Sequence, residues 1–250
     1  MALEHNYLIE NFDPEVLREY DIRGLVDYNL NENTAYTIGR SFGYVVKNKL
    51  NSNKIVTGYD GRLTSPRLHK AVCEGLKDSG SCVFNVGLGP TPMIYYSHFK
   101  LHSDAAIMVT GSHNPAEYNG FKMVLNKHSF FAEEIKNLQS IIDKDELKII
   151  QGKIINKNII DNYILRNIKN ININKPMKIA WDTANGAMGV VINQVASKLH
   201  NTENIIINEE VDGNFPNHHP DPTVKKNMEQ LIDNVLKYNC DIGLGFDGDG

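Results

Sequence analysis

Apolar runs of two kinds alternate along the first half of the chain. The predicted strands are short and almost wholly apolar: 54–59, 82–86 and 104–109. The predicted helices are longer and mix apolar with polar positions: 33–50, 66–79, 92–101 and 132–142. Residues 121–125 predict an edge strand. Strands that alternate with helices in this way favour a mostly parallel sheet covered by helices.

The composition shifts near the middle of the chain and the alternation then resumes. Residues 149–178 are rich in Ile, Asn and Lys, a bias that nucleotide composition of the gene explains. Beyond them the pattern predicts further strands and helices: 177–181, 186–199, 204–207, 226–238 and 240–246. We therefore predict two successive α/β/α domains with mixed, mostly parallel sheets, residues 1–153 and 154–250. The second is expected to be incomplete, because the chain stops inside a loop.

Composition excludes several classes of protein. The chain has 250 residues, is 41% hydrophobic and carries a formal net charge of −4, which provides no general field for nucleic acid. No basic segment followed by an apolar one opens the sequence, and no apolar stretch reaches membrane-spanning length. The cysteines Cys73, Cys82 and Cys240 are widely spaced, which predicts buried, reduced thiols. We expect a cytoplasmic protein without membrane or nucleic-acid partners.

Residues 110–115, Thr-Gly-Ser-His-Asn-Pro, follow the apolar run 104–109 directly and are called the serine loop below. Open α/β sheets bind ligands at the carboxyl ends of their strands, so Ser112 is predicted to be displayed there. The spacing is not that of a serine hydrolase, and His113 is too close in sequence to act as base for Ser112. Gly111 and the loop amides suit phosphate binding. On its own the hexapeptide is equally compatible with a structural loop.

Residues 247–250, Asp-Gly-Asp-Gly, follow another strand-like run and are called the aspartate loop. Side chains two apart in an extended segment project to the same side, so Asp247 and Asp249 can bind one cation. Mg²⁺ favours a few carboxylates with phosphate oxygens, whereas an EF-hand loop would follow a helix. A plain Asp-Gly turn is the alternative. Together the two loops suggest metal-assisted phosphoryl transfer through Ser112.

Two basic residues are candidates for phosphate binding. Arg23 lies in a short segment with Arg18 and Gly24, and its planar guanidinium matches a phosphate. Lys122 follows the serine loop closely and is expected beside Ser112, where it would stabilise transferred charge, or act as acid or base if its pKa were depressed. A surface ion pair for Arg23 and a solvated position for Lys122 are the alternatives.

Two further polar groups favour structural roles. Asp60-Gly61-Arg62 predicts a turn with a supporting hydrogen-bond role near the site. His218 and His219 lie near Asp221, but adjacent histidines between prolines lack the spacing of metal ligands, so we predict a structural loop.

Taken together, the motifs resemble those of the α-D-phosphohexomutase superfamily, in its phosphomannomutase/phosphoglucomutase branch. Five segments that span nearly the whole chain carry the resemblance: 18–24, 110–115, 118–122, 215–222 and 245–250. The Glu-Tyr-Asp-Ile-Arg-Gly form at 19–24 and Tyr-Asn-Gly at 118–120 are more similar to phosphomannomutases than to phosphoglucosamine mutases.

The resemblance implies a fold and a function. The family has four domains around a cleft and interconverts hexose 1-phosphate and hexose 6-phosphate through a hexose 1,6-bisphosphate. Ser112 would carry the phosphoryl group, and Mg²⁺ would be bound by Ser112, Asp247, Asp249 and a third Asp expected just beyond residue 250. Arg23 and Lys122 would assist proton and phosphoryl transfer. His113 would support the serine loop. Tyr20, together with Arg23, would line the site and contact the substrate.

The chain departs from the family pattern by its length. The third Asp, a following Arg, the sugar-recognition loop and the phosphate-binding loop of the later domains are not in these 250 residues. We expect a phosphorylated hexose, of mannose or glucose, as substrate of the complete enzyme. A catalytically inactive phosphosugar-binding or interaction fragment with the same fold is the alternative.

Overall fold

The structure, a computed structural model, describes residues 5–144 and 147–250. The strands are β1 Ile22–Leu25, β2 Lys54–Tyr59, β3 Cys82–Leu88, β4 Ala105–Val109, β5 Tyr118–Leu125, β6 His128–Ser129, β7 Lys153–Asn156, β8 Met177–Asp182, β9 Thr202–Ile207 and β10 Ile242–Gly245. The helices are α1 Glu32–Leu50, α2 Ser65–Asp78, α3 Thr91–Lys100, α4 Glu133–Asp143, α5 Ile160–Ile168, α6 Ile192–Ser197 and α7 Glu229–Tyr238. Short 3-10 helices cover Ala187–Val190 and Lys225–Met228.

The first sheet has the order β1-β5-β4-β2-β3-β7, with β6 paired to β5. Its strands β4, β2, β3 and β7 are parallel, and β5 and β1 join antiparallel. The prediction of an edge strand at 121–125 is wrong, because β5 lies between β1 and β4. Its side chains at alternate positions are buried and fit an interior strand.

The second sheet has the order β10-β8-β9, and both pairings are parallel. The two sheets confirm the predicted class of two α/β units with mostly parallel strands. Sequence patterns did not predict β1, β7 or α5, and the predicted helix 186–199 is a 3-10 turn followed by a short α-helix. β7 at Lys153–Asn156 pairs with β3 in the first sheet, and the exact boundary at residue 153 stays a prediction.

Two apolar clusters form the core, one on each face of the first sheet. Side chains alternate between faces, so Ile55 packs into the first cluster and Val56 into the second. The first cluster lies under α1, α2 and α4. The second also contains Met93 and Ile94 of α3 together with Trp181 and Ile192, so the second unit packs against the helix layer that covers the far face of the first sheet. This packing brings both functional loops to one edge.

The structure also shows the state of the three cysteines and the character of the helices. Cys73, Cys82 and Cys240 are free, as predicted, but only Cys73 is buried. Among the described residues no helix is both long and apolar enough to cross a bilayer. The amino-terminal segment on which we based the absence of a leader begins with residues 1–4, which lie outside the described residues.

A buried arginine determines the shape of the serine loop. Arg62 is 1% exposed, and its guanidinium donates to four backbone carbonyl oxygens, those of Ser112 (2.8 Å), Asn114 (2.6 Å), Pro115 (2.6 Å) and Tyr118 (3.0 Å). Within the segment, the carbonyl oxygen of Pro115 also accepts from the amide of Tyr118 at 3.0 Å, and the guanidinium gathers all four oxygens at one centre. The planar fork of the guanidinium is therefore the core around which the loop is wrapped.

Asp60 balances the charge of Arg62 and holds the start of the same loop. Its Oδ2 lies 3.3 Å from Arg62 Nε in an ion pair and accepts a hydrogen bond from Gly111 N at 3.2 Å. Its Oδ1 accepts from Ser65 Oγ at 2.5 Å and from Arg62 N at 3.1 Å. Burial raises the pKa of Asp60, whereas Arg62 and these hydrogen bonds oppose the rise. The predicted supporting role of 60–62 is thus confirmed, in a fully buried form.

We predict that Arg62→Met lowers the free energy of unfolding by about 3–5 kcal/mol, because it leaves Asp60 charged, buried and without its partner. Arg62→Lys keeps the charge but loses the planar fork, so its effect should be intermediate. Urea unfolding of the chain measures both.

Arg67→Met is the matched control, because Arg67 of α2 forms partly exposed ion pairs with Asp27 and with Glu32 of α1. Such pairs contribute about 0–1 kcal/mol. Equal destabilisation by Arg62→Met and Arg67→Met would contradict the scaffold role of Arg62.

Candidate active site

The serine loop follows β4 at the carboxyl end of the strand, and Ser112 has a positive φ of 51°. Its hydroxyl oxygen lies 2.7 Å from Asp247 Oδ2 and 2.9 Å from Asp249 Oδ1. A hydroxyl has one proton, so it donates to one carboxylate at a time. Three oxygens from two distant segments of the chain therefore meet at one point.

Ser112 is buried, with 6% of its surface exposed, so the prediction that it is displayed to solvent is wrong. The physical reason is the close approach of the aspartate loop, which covers the hydroxyl. A Cβ at Gly248 would lie 2.5 Å from the carbonyl oxygen of Ser112, so only glycine allows this contact. Local sequence shows that a loop ends a strand but not what packs on it.

Asp249 accepts hydrogen bonds at both of its carboxylate oxygens. Its Oδ2 accepts hydrogen bonds from Lys122 Nζ at 2.7 Å and from Thr91 Oγ1 at 2.5 Å. Burial disfavours its charged form, but Lys122, Thr91 and Ser112 outweigh burial and lower the pKa of Asp249. The carboxylate is therefore ionised at neutral pH.

Asp247 is less well compensated. Burial and the neighbouring charge of Asp249 raise its pKa, while Ser112 and Lys122 oppose the rise. Two carboxylates that face one oxygen repel each other, and a cation placed between them would remove that repulsion.

Lys122 projects from β5 and lies beside the serine, with Nζ 3.5 Å from Ser112 Oγ. Burial opposes its charge, but Asp249 and then Asp247 outweigh burial and raise its pKa. A depressed pKa, the condition under which Lys122 would act as acid or base, is therefore not what these contacts produce. Its ammonium group stays charged and suits electrostatic stabilisation.

Arg23 lies on the same face of the sheet as Lys122. It is opposite Gly120 in the antiparallel pair of β1 and β5, and residues 120 and 122 project to one side. Its Nη2 donates to Asp21 Oδ2 at 2.5 Å, and its buried Nε has no hydrogen-bond partner among the described residues. The guanidinium is therefore paired with Asp21 while it adds a positive charge to the face of the sheet that carries Lys122.

His113 and Tyr20 lie on the outside of this cluster. His113 is exposed and lies near Asp221, whose pKa is lowered chiefly by the hydrogen bond from Thr223. Tyr20 is 80% exposed and makes no side-chain hydrogen bond within the described part of the chain. The structure therefore brings Ser112, Lys122, Asp247 and Asp249 together and leaves these two at the surface.

His218 belongs to a structural contact, as predicted. Its Nε2 lies 2.9 Å from Asp182 Oδ2, and this hydrogen bond raises the pKa of His218. Nδ1 lies 2.9 Å from the carbonyl oxygen of His219. The contact fixes the 212–222 segment against the end of β8.

The oxygen cluster fits a hard divalent cation. Asp247, Asp249 and Ser112 offer only oxygen, which Mg²⁺ prefers. Across residues 5–144 and 147–250 no group of three His, Cys, Asp or Glu side chains is arranged to hold a metal. The two carboxylates therefore fit a cation only together with the serine oxygen or an oxygen bonded to it.

Two residues of the site were not predicted at their full importance. Arg62 stands in an Asp-Gly-Arg turn, which does not indicate a fully buried guanidinium. Thr91 stands in a turn-rich Gly-Pro-Thr-Pro segment, yet it contacts Asp249 with both its amide and its hydroxyl. Its position after the parallel strand β3, at the same sheet edge as the serine loop, is the signal that would have identified it.

Comparison with known proteins identifies related domains and enzymes. Residues 14–148 match the model of the phosphoglucomutase/phosphomannomutase alpha/beta/alpha domain I, and residues 161–250 match that of domain II. The chain is 42% identical over 235 residues to the phosphomannomutase/phosphoglucomutase of Pseudomonas putida, covering 94% of this chain and 50% of that protein. It is 39% identical over 241 residues to a Neisseria meningitidis phosphoglucomutase, covering 96% and 52%.

Solved structures show the same fold. A phosphoglucomutase/phosphomannomutase family protein from Burkholderia thailandensis superposes with a TM-score of 0.89 at 34% identity, over 96% of this chain and 54% of that one. The Paramecium phosphoglucomutase parafusin shares the fold at 16% identity, with a TM-score of 0.73 over 96% and 52% of the two chains. The chain spans about half the length of the curated relatives it matches. Because the two domain models together match most of residues 14–250, the chain belongs to the phosphoglucomutase/phosphomannomutase family.

Proposed function

We propose that this chain forms the phosphoserine-bearing and metal-bearing half of a hexose-phosphate mutase. The enzyme would interconvert hexose 1-phosphate and hexose 6-phosphate, of mannose, glucose or both. The observation that carries the proposal is the position of Ser112 Oγ, 2.7 Å from Asp247, 2.9 Å from Asp249 and 3.5 Å from Lys122. The names of the relatives, phosphomannomutase/phosphoglucomutase and phosphoglucomutase, support the substrate class.

Ser112 is the proposed phosphoryl carrier. The bond between phosphorus and Ser112 Oγ breaks as a sugar hydroxyl forms a bond to the same phosphorus, and the proton of that hydroxyl passes to the released Ser112 Oγ. The resulting hexose 1,6-bisphosphate then reorients within the site. Its other phosphoryl group then returns to Ser112 Oγ, which leaves the isomeric hexose monophosphate. Such transfers depend mainly on positioning and on compensation of charge.

The surrounding charges suit this transfer. Lys122 stays protonated and stabilises negative charge on the moving phosphoryl group, and Arg23, on the same face of the sheet, adds a second positive charge for a phosphate. Asp247, Asp249 and the serine phosphate would hold Mg²⁺, which when bound neutralises phosphate charge. His113 would support the serine loop from the solvent side, and the exposed ring of Tyr20 would line the site when a sugar binds.

The remaining assignments follow from the same proposal. The partner is a phosphorylated hexose, and hexose 1,6-bisphosphate is both intermediate and activator. We propose a cytoplasmic location, without nucleic-acid or membrane partners.

For the 250-residue chain by itself we predict negligible mutase turnover. Its relatives are about twice as long, and the resemblance places a third metal carboxylate and a phosphate-binding loop in the remainder. Positioning supplies much of the rate enhancement of such enzymes, so half of the binding groups should not suffice. Conversion of mannose 1-phosphate and glucose 1-phosphate measures this, with the Pseudomonas putida relative as positive control. Robust conversion by the chain alone would contradict the prediction.

The phosphoryl carrier is tested by Ser112→Ala in a protein of full family length whose amino-terminal half is this chain. We predict loss of turnover by roughly a thousandfold or more, as for other essential nucleophiles. Intact-mass analysis after incubation with glucose 1,6-bisphosphate should show one phosphoryl group on the parent protein and none on the variant. Ser129→Ala, at an exposed serine of β6, is the control and should keep the adduct. A phosphoryl group that persists in Ser112→Ala would mean that another residue is the carrier.

A further inference from the structure

Asp249 of the second unit is held by a helix of the first. The amide of Thr91, the first residue of α3, donates to the main-chain carbonyl oxygen of Asp249 at 2.8 Å. The hydroxyl of the same residue donates to Asp249 Oδ2 at 2.5 Å. Both residues are buried, with 7% and 3% of their surfaces exposed. This two-point contact links the helix start to the aspartate loop.

The two carboxylate oxygens of Asp249 have different partners. Thr91 and Lys122 both donate to Oδ2, whereas Oδ1 faces Ser112 Oγ at 2.9 Å. Because Oδ2 is occupied by two donors, Oδ1 is the oxygen that remains for the serine side of the cluster. The rotation of this carboxylate therefore decides whether the three oxygens of the cluster converge.

We propose that Thr91 is a positioning residue for the reaction, whose hydroxyl fixes the orientation of Asp249 so that Oδ1 faces Ser112 and a cation bound beside it. The inference rests on the proposed function, because it assigns Asp249 as a metal ligand. It adds a residue from the unit that carries the serine to those that set the geometry of the metal carboxylate.

Thr91 suits this task better than the other donor to Oδ2. A β-branched side chain has few χ1 rotamers, and the amide contact already fixes the backbone on both sides. Lys122 reaches Oδ2 through a long side chain that is 27% exposed, and it has more freedom to follow the carboxylate if the carboxylate turns. The charges of Asp247 and Asp249 repel each other, so a rigid donor is needed to keep both directed at one point.

The position of Thr91 also couples the two units. Ser112 and Thr91 belong to the first unit and lie at the same edge of its sheet, after β4 and β3, which are separated by β2. Asp249 is thus oriented by the same rigid body that presents the serine. A shift of the second unit that breaks the contact with Thr91 would also misdirect the metal carboxylate.

The test compares hydroxyl-deleting and hydroxyl-keeping variants of the 250-residue chain. Thr91→Val keeps the shape and removes the hydroxyl, and Thr91→Ser keeps the hydroxyl. Ser97→Ala is the control, because it removes a buried hydroxyl of α3 that bonds only the carbonyl oxygen of Met93. The first measurement is the Kd for Mn²⁺, determined by electron paramagnetic resonance. The second is the ¹³C resonance of the Asp249 carboxyl group without metal.

We expect Thr91→Val to weaken Mn²⁺ binding about 10-fold or more, the usual effect of losing a residue that orients a metal ligand. The Asp249 carboxyl resonance should shift in Thr91→Val, whereas Ser97→Ala should match the parent chain in both measurements, and Thr91→Ser, which keeps the hydroxyl but not the branching methyl group, should lie between the parent and Thr91→Val. Parent-like behaviour of Thr91→Val in both measurements would overturn the proposal. If Thr91→Val does not fold, Thr91→Ala replaces it and is compared with Thr91→Ser, since the two differ only by the hydroxyl oxygen.

The outcome is separable from that of the proposed function. If the parent chain binds no Mn²⁺, the metal assignment fails, and the metal-free carboxyl resonance alone decides whether Thr91 orients Asp249. An unchanged resonance in the hydroxyl-deleting variant then overturns the role of Thr91. The phosphoryl carrier is tested independently, by the mass adduct on Ser112.

Discussion

The site depends on one buried ion pair, that of Arg62 with Asp60. The arginine gathers carbonyl oxygens of the serine loop, and the aspartate binds the amide of Gly111 at its start. A charge left unpaired in this position would cost several kcal/mol of folding free energy. Neither Arg62 nor Asp60 is therefore stable here without the other and without the loop that surrounds both. The contact that sets the backbone of Ser112 is therefore made in the interior of the first unit, before any substrate or metal is considered.

The second constraint is the meeting of two loops from different units. Gly248 lets the aspartate loop touch the backbone of Ser112, and this contact buries the serine hydroxyl. It also brings two carboxylates together, which is unfavourable unless cations or donors compensate them. Lys122 and Thr91 compensate Asp249, whereas Asp247 keeps a raised pKa. The described side chains thus supply only part of the positive charge that would neutralise the two carboxylates.

Sequence patterns predicted what is local in this arrangement. Strands that end in polar loops identified Ser112, Asp247 and Asp249, and the short return to Lys122 predicted its place beside the serine. The burial of Ser112 and the grip of Thr91 on Asp249 were beyond such patterns, because both arise from contacts more than 130 residues apart in the chain. The interior position of β5 was missed for a similar reason, since β1 is a four-residue strand without a strong apolar pattern.

We propose that Ser112, Asp247 and Asp249 form one cation site. A crystal of the chain soaked in Mn²⁺, with data collected for anomalous scattering, tests it most directly. We predict an anomalous peak between the two carboxylates on the side of Ser112, at about 2.1–2.2 Å from the nearest oxygens, slightly beyond the distances of Mg²⁺. A peak at another cluster, such as His218 with Asp182, and none at the aspartate loop would contradict the claim.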